Sequence, residues 1–347
     1  MAEMEAFREK GYRMMIACQP HSKIHQKATE AGFTVFPVVM RKGFSLHTIR
    51  STLEILRKNQ VDLVHTHSSV DAKNCGLAAR IARVPVVRSR HLTAPIKRNP
   101  LSKFVYMYLA DCVLTSGQAI RERMIRINRM DPKRIFSVPA GVDIRRFHPE
   151  VDPSGVINEL GLRDDEFIVT IVAVIRSWKG HEFLIDAVAR LLDESLKLKL
   201  LIVGAGPHEP VVMEQIQRLG IADRIVMTGY RTDVPELMRA SNCVVLPSTK
   251  NEATSQALPQ AMAERIPVIS SSAGGLTEVV QDRENGLLVP PEDSDALAKA
   301  IRWIYTNPEE ARAMADRAYH HCMKNFTFDK MIEDTDAAYQ FALDRHH

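Results

Sequence analysis

The sequence predicts an α/β protein made of two doubly wound, Rossmann-like domains in tandem. Short apolar runs alternate with amphipathic helical stretches, a pattern that implies crossover units and parallel sheets covered on both faces. The 347 residues are enough for two ordinary domains. A polar segment with two prolines at 147–155 reads as a linker. We therefore predict domains at 1–150 and 151–327, with a last helix, 328–347, that packs back on the first domain.

The first half contains six predicted strands separated by five helices. Each strand is a short, mostly apolar run, and each helix has apolar residues at helical spacing. The strands are predicted at 12–18, 34–39, 63–66, 86–89, 112–115 and 135–138, and the helices at 23–31, 46–58, 72–82, 103–109 and 118–127.

The second half repeats the alternation and ends in an amphipathic helix at 328–343. The strands are predicted at 167–174, 198–203, 225–228, 243–246, 268–271 and 286–289, and the helices at 182–193, 209–219, 234–240, 256–263, 276–280 and 295–305. Ligands of such sheets bind at the carboxyl ends of the strands, so we expect the two domains to face a site across a cleft.

The start of the chain departs from this plan. It opens inside a predicted helix, 2–10, which Gly11 ends. A doubly wound domain normally begins with a strand and a glycine-rich turn, so roughly twenty residues are expected ahead of this helix. Without that strand the sheet would have unpaired edges. Two explanations stay open: a reading frame started late, or a loss that the protein tolerates by pairing with another chain.

The charge is divided unevenly between the halves. The net charge is +4, but residues 1–150 hold 26 Lys and Arg against 12 Asp and Glu, and residues 151–347 hold 20 against 30. The first half is therefore +14 and the second −10, which predicts an anionic partner for the first half. Nucleic acid is disfavoured as that partner, because no recognised binding module and no aromatic interleaving accompany the basic residues.

Cysteine usage and hydropathy indicate a cytoplasmic protein. The five cysteines are odd in number, widely spread and without a C-x-x-C pair, which favours a reducing compartment and excludes a disulfide framework or zinc ribbon. No apolar run is long enough to span a membrane, and no signal peptide opens the chain.

Two cations follow the first strand of the second half. Arg176 and Lys179 lie in the loop of IVAVIRSWKG, where a strand end meets a helix start, and they suit a phosphate or diphosphate. On local grounds alone a solvated loop is the more common explanation of two such cations. A Gly-Ala-Gly turn follows the next strand at 204–206. Because position 209 is Glu, the dinucleotide fingerprint is incomplete, and a nicotinamide cofactor is poorly supported.

Other polar residues follow neighbouring strands. Glu252 precedes a helix that starts near Ser255, and it reads either as a ligand for sugar hydroxyls or as an N-terminal capping carboxylate. His65 and His67 point to one face at a strand end, where packing or ligand hydrogen bonds are favoured over a metal site. His91 follows another strand and is better placed to reach the cleft.

A series of motifs in this order resembles glycosyltransferase family 4, retaining enzymes of the GT-B fold. The motifs span nearly the whole chain: VDLVHTH, RSRHLTAP, SVPAGVDIRRFHP, AVIRSWKG, LLIVGAGP, VMTGYRTDVPELMRASNCVVLPS, the Glu252 loop and PVISSSAGGLTEVVQDRENGLLVPPED. Each motif is weak alone, but together and with this spacing they are specific.

The resemblance implies roles for individual residues. Arg176 and Lys179 should hold the donor diphosphate, Glu252 should contact the transferred sugar, and His91 should lie near that sugar. Further contacts with the donor are implied for the nucleotide-base edge, Gly229, Tyr230 and Arg231, and for the helix start, Thr254, Ser255 and Gln256. Gln260 stands where the family has a second glutamate for the ribose hydroxyls, so it can hydrogen-bond there but carries no charge. The resemblance also implies front-face chemistry without a metal or other cofactor.

The function implied is transfer of a hexose from a nucleotide-diphosphate sugar to a saccharide or lipid-linked acceptor in lipopolysaccharide or exopolysaccharide synthesis. The basic half would then serve an anionic membrane surface, with the enzyme peripheral on its inner face. The short N-terminus predicts reduced or absent transferase activity. A non-catalytic relic that only binds nucleotide sugar is the main alternative, and an epimerase or a phosphorylase shares the two-domain layout. The sequence leaves the oligomeric state open.

Overall fold

The computed structural model describes residues 1–41, 43–91, 96–194, 196–250 and 252–345. The chain divides into two compact units. Unit 1 contains Met1–Pro139 and Met331–His347, and unit 2 contains Ala140–Lys330. The segment 140–150, which the linker prediction assigns to the first domain, groups with unit 2.

Unit 1 alternates helices and strands as the sequence predicts. Its elements are α1 Ala2–Glu9, β1 Met15–Cys18, α2 Lys23–Glu30, β2 Thr34–Pro37, α3 Leu46–Lys58, β3 Val64–Thr66, α4 Asp71–Ala82, β4 Val86–Arg90, α5 Pro100–Lys103, β5 Cys112–Thr115, α6 Gln118–Arg126 and β6 Ile135–Ser137. A π-helical turn, Phe104–Tyr108, continues α5 where the sequence predicts an α-helix over 103–109. The first strand is shorter than predicted.

The strands of unit 1 form two parallel sheets. One contains only β1 and β2, with Ile16 opposite Val35, and the other has the order β3-β4-β5-β6, with Val87 opposite Cys112. Among the described residues β1 pairs only with β2, and β3 pairs only with β4. The helical layer over the second sheet is close-packed because α4 is rich in small residues. A Cβ on Gly76 would lie 3.3 Å from that of Leu109.

The end of the chain packs against the beginning within unit 1. The ring centroids of Phe7 in α1 and Tyr339 in the last helix are 4.8 Å apart, and Phe7 is fully buried. Tyr12 donates its hydroxyl to Asp336, and Lys10 forms an ion pair of 2.6 Å with the same carboxylate. Tyr12 thus serves as an anchor for the last helix and not as a strand residue, which accounts for the shorter β1.

Unit 2 contains one six-stranded parallel sheet with helices on both faces. Its elements are α7 Ser154–Leu160, β7 Phe167–Val172, α8 His181–Asp193, β8 Leu198–Val203, α9 Glu209–Leu219, β9 Ile225–Gly229, α10 Val234–Arg239, β10 Cys243–Leu246, α11 Ala257–Ala263, β11 Val268–Ser271, α12 Leu276–Val279, β12 Leu287–Val289, α13 Ser294–Thr306 and α14 Pro308–Asn325. The last helix, α15 Phe328–Asp344, belongs to unit 1 from Met331 onward. The strand order is β12-β11-β10-β7-β8-β9.

This order places the switch point of the sheet between β7 and β10. The chain leaves β7 toward β8 and β9 on one side and returns to β10 on the other. In such sheets a crevice opens at the carboxyl ends of the two central strands. The strands are mostly apolar because both faces are covered, with Val169, Leu200 and Val245 fully buried. The fold therefore predicts a site where the loops after β7 and β10 meet.

Two helices of unit 2 lie outside the sequence predictions. Helix α14 is polar in composition but buries Ala311, Met314, Ala315, Ala318 and Cys322 at helical spacing, so its apolar face is made of small residues. Helix α7 begins inside the predicted linker. No helix in the described part of the chain combines the length and apolar content needed to cross a bilayer.

Candidate functional site

The loops at the carboxyl edge of the unit 2 sheet bring Lys179 and Glu252 together. The Nζ atom of Lys179 lies 2.6 Å from Oε1 of Glu252, and Ser248 donates its hydroxyl to the same oxygen over 2.9 Å. Glu252 is 8% exposed and the Lys179 side chain 19%. A pair this sheltered is held more firmly than a surface ion pair. Glu252 is therefore a partner of Lys179 and Ser248 and not a helix cap.

Glycines let these loops approach each other. Gly180 has φ of +76°, and an added Cβ would lie 2.0 Å from the Pro247 carbonyl oxygen. Gly274, with φ of +57°, would place a Cβ 2.3 Å from the Glu252 carbonyl oxygen, and the Gly275 N–H donates to that oxygen over 3.0 Å. No L-residue with a side chain fits either position. The loops after β7, β10 and β11 are thus fixed to one another around Glu252.

Arg176 precedes Lys179 on the loop after β7. Its guanidinium lies 5.0 Å from the ring centroid of Trp178, and its side chain is exposed. Within the described ranges no carboxylate forms an ion pair with it, so its charge stays available to an anion. The loop therefore offers one cation held by Glu252 and one open to solvent.

The Gly-Ala-Gly turn after β8 supports this loop. A Cβ on Gly204 would lie 2.0 Å from the Ala173 carbonyl oxygen, and one on Gly206 would lie 2.3 Å from that of Ile175. Both contacts are with backbone immediately ahead of Arg176. The close backbone packing of two loops is thus sufficient reason for these glycines.

At the end of β9, Arg231 is fully engaged by carboxylates. Its guanidinium donates two hydrogen bonds to Glu159, of 2.6 and 2.8 Å, and two to Asp233, of 2.8 and 2.6 Å. Hydrogen bonds raise the pKa of Arg231 above its ordinary value, those to Glu159 most and those to Asp233 next. Tyr230 beside it is 82% exposed, and Gly229 has φ of +68°. Only Tyr230 and the backbone here are free to contact a ligand.

The start of α11 presents backbone and amide groups. Ser255 accepts a hydrogen bond from the Ala257 N–H over 3.3 Å, and Gln256 donates its side-chain amide to the Gly141 carbonyl oxygen over 3.2 Å. Thr254 precedes them and is half-buried. Gln260 is also half-buried, and no described residue forms a hydrogen bond with its side chain. Its amide is available to a ligand hydroxyl.

His181, directly after the Lys179 loop, is not singled out by the sequence. It is the first residue of α8, it is 2% exposed, and neither ring nitrogen has a hydrogen-bond partner in the described structure. Burial and then the charges of Lys179 and His208 lower its pKa to about 4. A neutral, unpartnered imidazole thus lies next to the Lys179 loop. The signal available was a histidine directly after the Lys-Gly pair.

Three histidines of unit 1, His65, His67 and His91, form one cluster. His65 is hydrogen-bonded through Nδ1 to Tyr339 and through Nε2 to Ser89, both at 2.8 Å, and burial lowers its pKa well below the usual value. His67 Nδ1 lies 3.4 Å from Nε2 of His91, with the rings stacked. Burial lowers the pKa of both His67 and His91.

The cluster therefore favours neutral rings that exchange hydrogen bonds. Tyr339 and Ser89 occupy both nitrogens of His65, as expected for strand-end packing. His91 still exposes part of its surface to solvent, although the rest is covered enough to lower its pKa. No group of three or more His, Cys, Asp or Glu side chains in the described segments could hold a metal ion.

Two family models match the chain in succession. Residues 3–146 match Glycosyltransferase Family 4, and residues 156–321 match Glycosyl transferases group 1. The family 4 motifs lie inside these two ranges, except for the last three residues of SVPAGVDIRRFHP, 147–149, which fall between them.

Curated relatives match over most of the chain. A D-inositol 3-phosphate glycosyltransferase from Streptomyces bingchenggensis is 28% identical, over 83% of this chain and 68% of its own length. The putative glycosyltransferase EpsD of Bacillus subtilis is 25% identical, over 97% of this chain and 91% of its own length. The Escherichia coli UDP-Gal:alpha-D-GlcNAc-diphosphoundecaprenol alpha-1,3-galactosyltransferase is 25% identical, over 96% and 90%.

Solved structures share the fold. A glycosyltransferase from Rickettsia africae superposes with a TM-score of 0.91 at 20% identity, covering 98% of this chain and 93% of that one. HepE from Anabaena, solved in complex with UDP, superposes with a TM-score of 0.84 at 23% identity, covering 95% of this chain and 93% of that one. At 20% and 23% identity, the likeness to these two structures shows a shared fold and nothing more. That fold is the two-domain GT-B architecture.

Proposed function

Since this chain belongs to the family 4 glycosyltransferases of GT-B fold, we propose that it is a retaining enzyme that moves a hexose from a nucleotide-diphosphate sugar to a saccharide or lipid-linked acceptor. The observation that carries this proposal is the sheltered Lys179–Glu252 pair, which lies at the carboxyl edge of the unit 2 sheet beside the exposed cation of Arg176. Unit 2 is then the donor-binding domain and unit 1 the acceptor-side domain.

Arg176 and Lys179 provide the charge that a diphosphate needs. Both follow β7, where the crevice of the sheet opens, and they are local cations in an acidic half. Lys179 is already held in place by Glu252, so little side-chain entropy is lost when it also contacts a phosphate oxygen. Removing one such preorganised donor costs about 2.7–4 kcal/mol of transition-state stabilisation.

Glu252 and Gln260 face the sugars of the donor in this proposal. Glu252 keeps its second carboxylate oxygen for hydroxyls of the transferred hexose, since Lys179 and Ser248 both engage Oε1. Gln260 takes the ribose hydroxyls with its unengaged amide. The exposed ring of Tyr230 stacks on the base, while the backbone at Gly229 and Arg231 contacts its edge. The N–H groups at Thr254, Ser255 and Gln256 face the phosphates.

Transfer proceeds by exchange of one bond at the anomeric carbon. The bond to the diphosphate oxygen breaks while a bond to the acceptor hydroxyl oxygen forms on the same face, and the hydroxyl proton passes to the departing phosphate. Arg176 and Lys179 stabilise the negative charge that develops on that phosphate, and no metal is required for this role. The family resemblance assigns His91 a place near the transferred hexose, and burial lowers the pKa of its ring, so it would act there as a neutral hydrogen-bonding group.

We place the acceptor in lipopolysaccharide or exopolysaccharide synthesis. Support comes from the relatives named EpsD and diphosphoundecaprenol galactosyltransferase, the second of which carries a lipid-linked acceptor in its name. The +14 charge of the first half suits a phosphate-bearing acceptor at an anionic membrane. The enzyme is then cytoplasmic and peripheral on the inner membrane face.

A thermal-shift series tests the donor site. Uridine, guanosine and adenosine diphosphates and their sugars are added to the wild type, to Lys179→Ala and to Lys299→Ala, which removes an exposed lysine on α13 of the same unit. Ligand at 100 times its Kd stabilises the folded protein by about 2.7 kcal/mol. We expect one diphosphate nucleotide to raise the Tm of the wild type and of Lys299→Ala but not that of Lys179→Ala. No response to any nucleotide contradicts the proposal.

A second candidate is a binding protein derived from such an enzyme. The observation in its favour is Gln260, which leaves the ribose site without a carboxylate. Incubation with a stabilising nucleotide sugar and detection of free sugar or transferred product separates the two. Binding with neither hydrolysis nor transfer to any offered acceptor supports the binding protein.

A further inference from the structure

One side of the segment 100–108 in unit 1 is anchored to β4. Val105 and Tyr106 are buried, and the Arg88 guanidinium carbon lies 3.6 Å from the centroid of the Tyr106 ring. Arg90 donates to the Tyr106 hydroxyl over 2.6 Å. Arg88 is itself only 5% exposed, so this cation–π contact is desolvated and strong. Tyr106 therefore fixes which side of the segment faces outward.

The outward side carries three large apolar side chains. Leu101 is 52% exposed, Phe104 37% and Tyr108 61%. They occupy positions i, i+3 and i+7, which share one helix face, and the rings of Phe104 and Tyr108 stack with centroids 5.0 Å apart. We call these three residues the α5 stripe. The guanidinium carbon of Arg80 lies 5.9 Å from the centroid of the Tyr108 ring, so one further cation borders the stripe.

Unpaired cations flank the α5 stripe. Lys97, Arg98 and Lys103 are exposed, and none of them forms an ion pair within the described ranges. From residue 72 to residue 110 the sequence has eight Lys and Arg and no Asp or Glu. A solvated helix face of a soluble protein normally interleaves both signs. This surface is instead apolar and aromatic in the middle and cationic around it.

We propose that the α5 stripe seats unit 1 on the surface of an anionic lipid bilayer. Aromatic rings and leucine enter the boundary between headgroups and acyl chains, while lysine and arginine next to them contact anionic headgroups. This inference deepens the peripheral membrane location proposed above and rests on it. The occupant is the bilayer and not a second copy of the chain, because two such surfaces would bring their cations into mutual contact in a two-fold interface.

Vesicle flotation in the absence of any nucleotide sugar tests the proposal independently of transfer. The wild type is mixed with vesicles of phosphatidylcholine alone or of equal parts phosphatidylcholine and phosphatidylglycerol. We expect binding to the second kind only, weakened at about 1 M salt, where the Debye length falls to about 3 Å. The triple variant L101S/F104S/Y108S and the triple variant K97S/R98S/K103S should each reduce the apparent affinity at least tenfold.

Matched variants control for the loss of any exposed apolar or basic side chain. V211S/M213S removes two exposed apolar residues from α9 in unit 2, and K23S/K27S removes two exposed lysines from α2 in unit 1. Both should bind like the wild type, and circular dichroism verifies that every variant is folded. Failure of the wild type to float with anionic vesicles overturns the proposal. A control that loses as much vesicle affinity as the triple variants overturns it too.

The oligomeric state is measured on the same samples. A wild type that is dimeric in solution and becomes monomeric in L101S/F104S/Y108S identifies the stripe as a subunit interface and overturns the proposal. A wild type and variant of the same size, with only the wild type bound to vesicles, support it. If vesicle binding fails but transfer to a soluble acceptor is observed, the proposed function stands and only the membrane surface falls.

Discussion

Lys179 and Glu252 come from loops after two different strands, yet their side chains meet at 2.6 Å in a sheltered position. Lys179 ends a single 3-10 turn, Ser177–Lys179, and Glu252 lies outside any helix or strand. The approach depends on Gly180 passing against Pro247 and on Gly274 passing against the backbone of Glu252. The pair is therefore a product of loop packing at the switch point of the sheet, and its chemistry is coupled to these two glycine-dependent contacts.

Lys179→Ala should abolish the response to nucleotide and lower kcat/KM by about 10²–10³, since one preorganised donor to the developing phosphate charge is lost. The matched control is Lys199→Ala. Its Nζ lies 3.2 Å from Glu166, and its side chain is 13% exposed, so it removes a comparably sheltered ion pair away from the site. Both variants should lose stability, but only Lys179→Ala should lose catalysis. An equal loss of kcat/KM in Lys199→Ala would assign the effect to folding.

Gly274→Ala should weaken donor binding far more than Gly220→Ala. Both glycines have positive φ, +57° and +66°, so alanine costs about 1–2 kcal/mol of backbone strain at either position. At Gly220 nothing lies within 4 Å of the new Cβ, whereas at Gly274 it would lie 2.3 Å from the Glu252 carbonyl oxygen. Urea unfolding and nucleotide titration of the two variants separate strain from displacement of Glu252. Equal nucleotide affinity in both variants contradicts the structural role given to Gly274.

Much of the fold follows from hydrophobic alternation, which requires only local sequence. Helix α14 was missed because its buried face consists mainly of alanines, whose spacing stands out less than that of leucines. The division of unit 1 into two sheets was not predicted either, because strand pairing is a relation between distant segments. The π-helical turn at Phe104–Tyr108 has apolar residues at helical spacing, so its sequence could not distinguish it from an α-helix.

The site was predictable as residue types but not as contacts. The sequence indicates a phosphate loop at Arg176 and Lys179 and a carboxylate at Glu252, yet nothing local to either segment says that they form a pair. The glycine at 204 was visible in the sequence, but its close approach to the Ala173 carbonyl oxygen is a contact between two loops that the sequence does not show. His181 was missed since burial cannot be read from one position.

Gln260→Glu should raise the affinity for the nucleotide sugar if Gln260 faces the ribose. A hydrogen bond to a charged group contributes about 1 kcal/mol more than one between neutral groups, which is roughly a fivefold change in Kd. Gln217→Glu is the control, because Gln217 is exposed on α9 of the same unit and has no role in the proposed site. Isothermal titration with the stabilising nucleotide measures both. An unchanged or weaker Kd in Gln260→Glu removes the ribose assignment.

His181 should make the protein less stable as the pH falls below neutrality. Its pKa is about 4 in the folded chain against an ordinary 6.5, so between these values the unfolded state binds the proton and the folded state does not. The free energy of unfolding therefore falls as the pH is lowered from about 6.5 toward 4, and the loss amounts to roughly 2 kcal/mol by about pH 5. His181→Leu should remove this part of the pH dependence, whereas the exposed His320→Leu should leave it unchanged. Urea unfolding at pH 7 and pH 5 measures the difference. If the wild type and His181→Leu lost the same unfolding free energy between these pH values, folding would not change the pKa of His181.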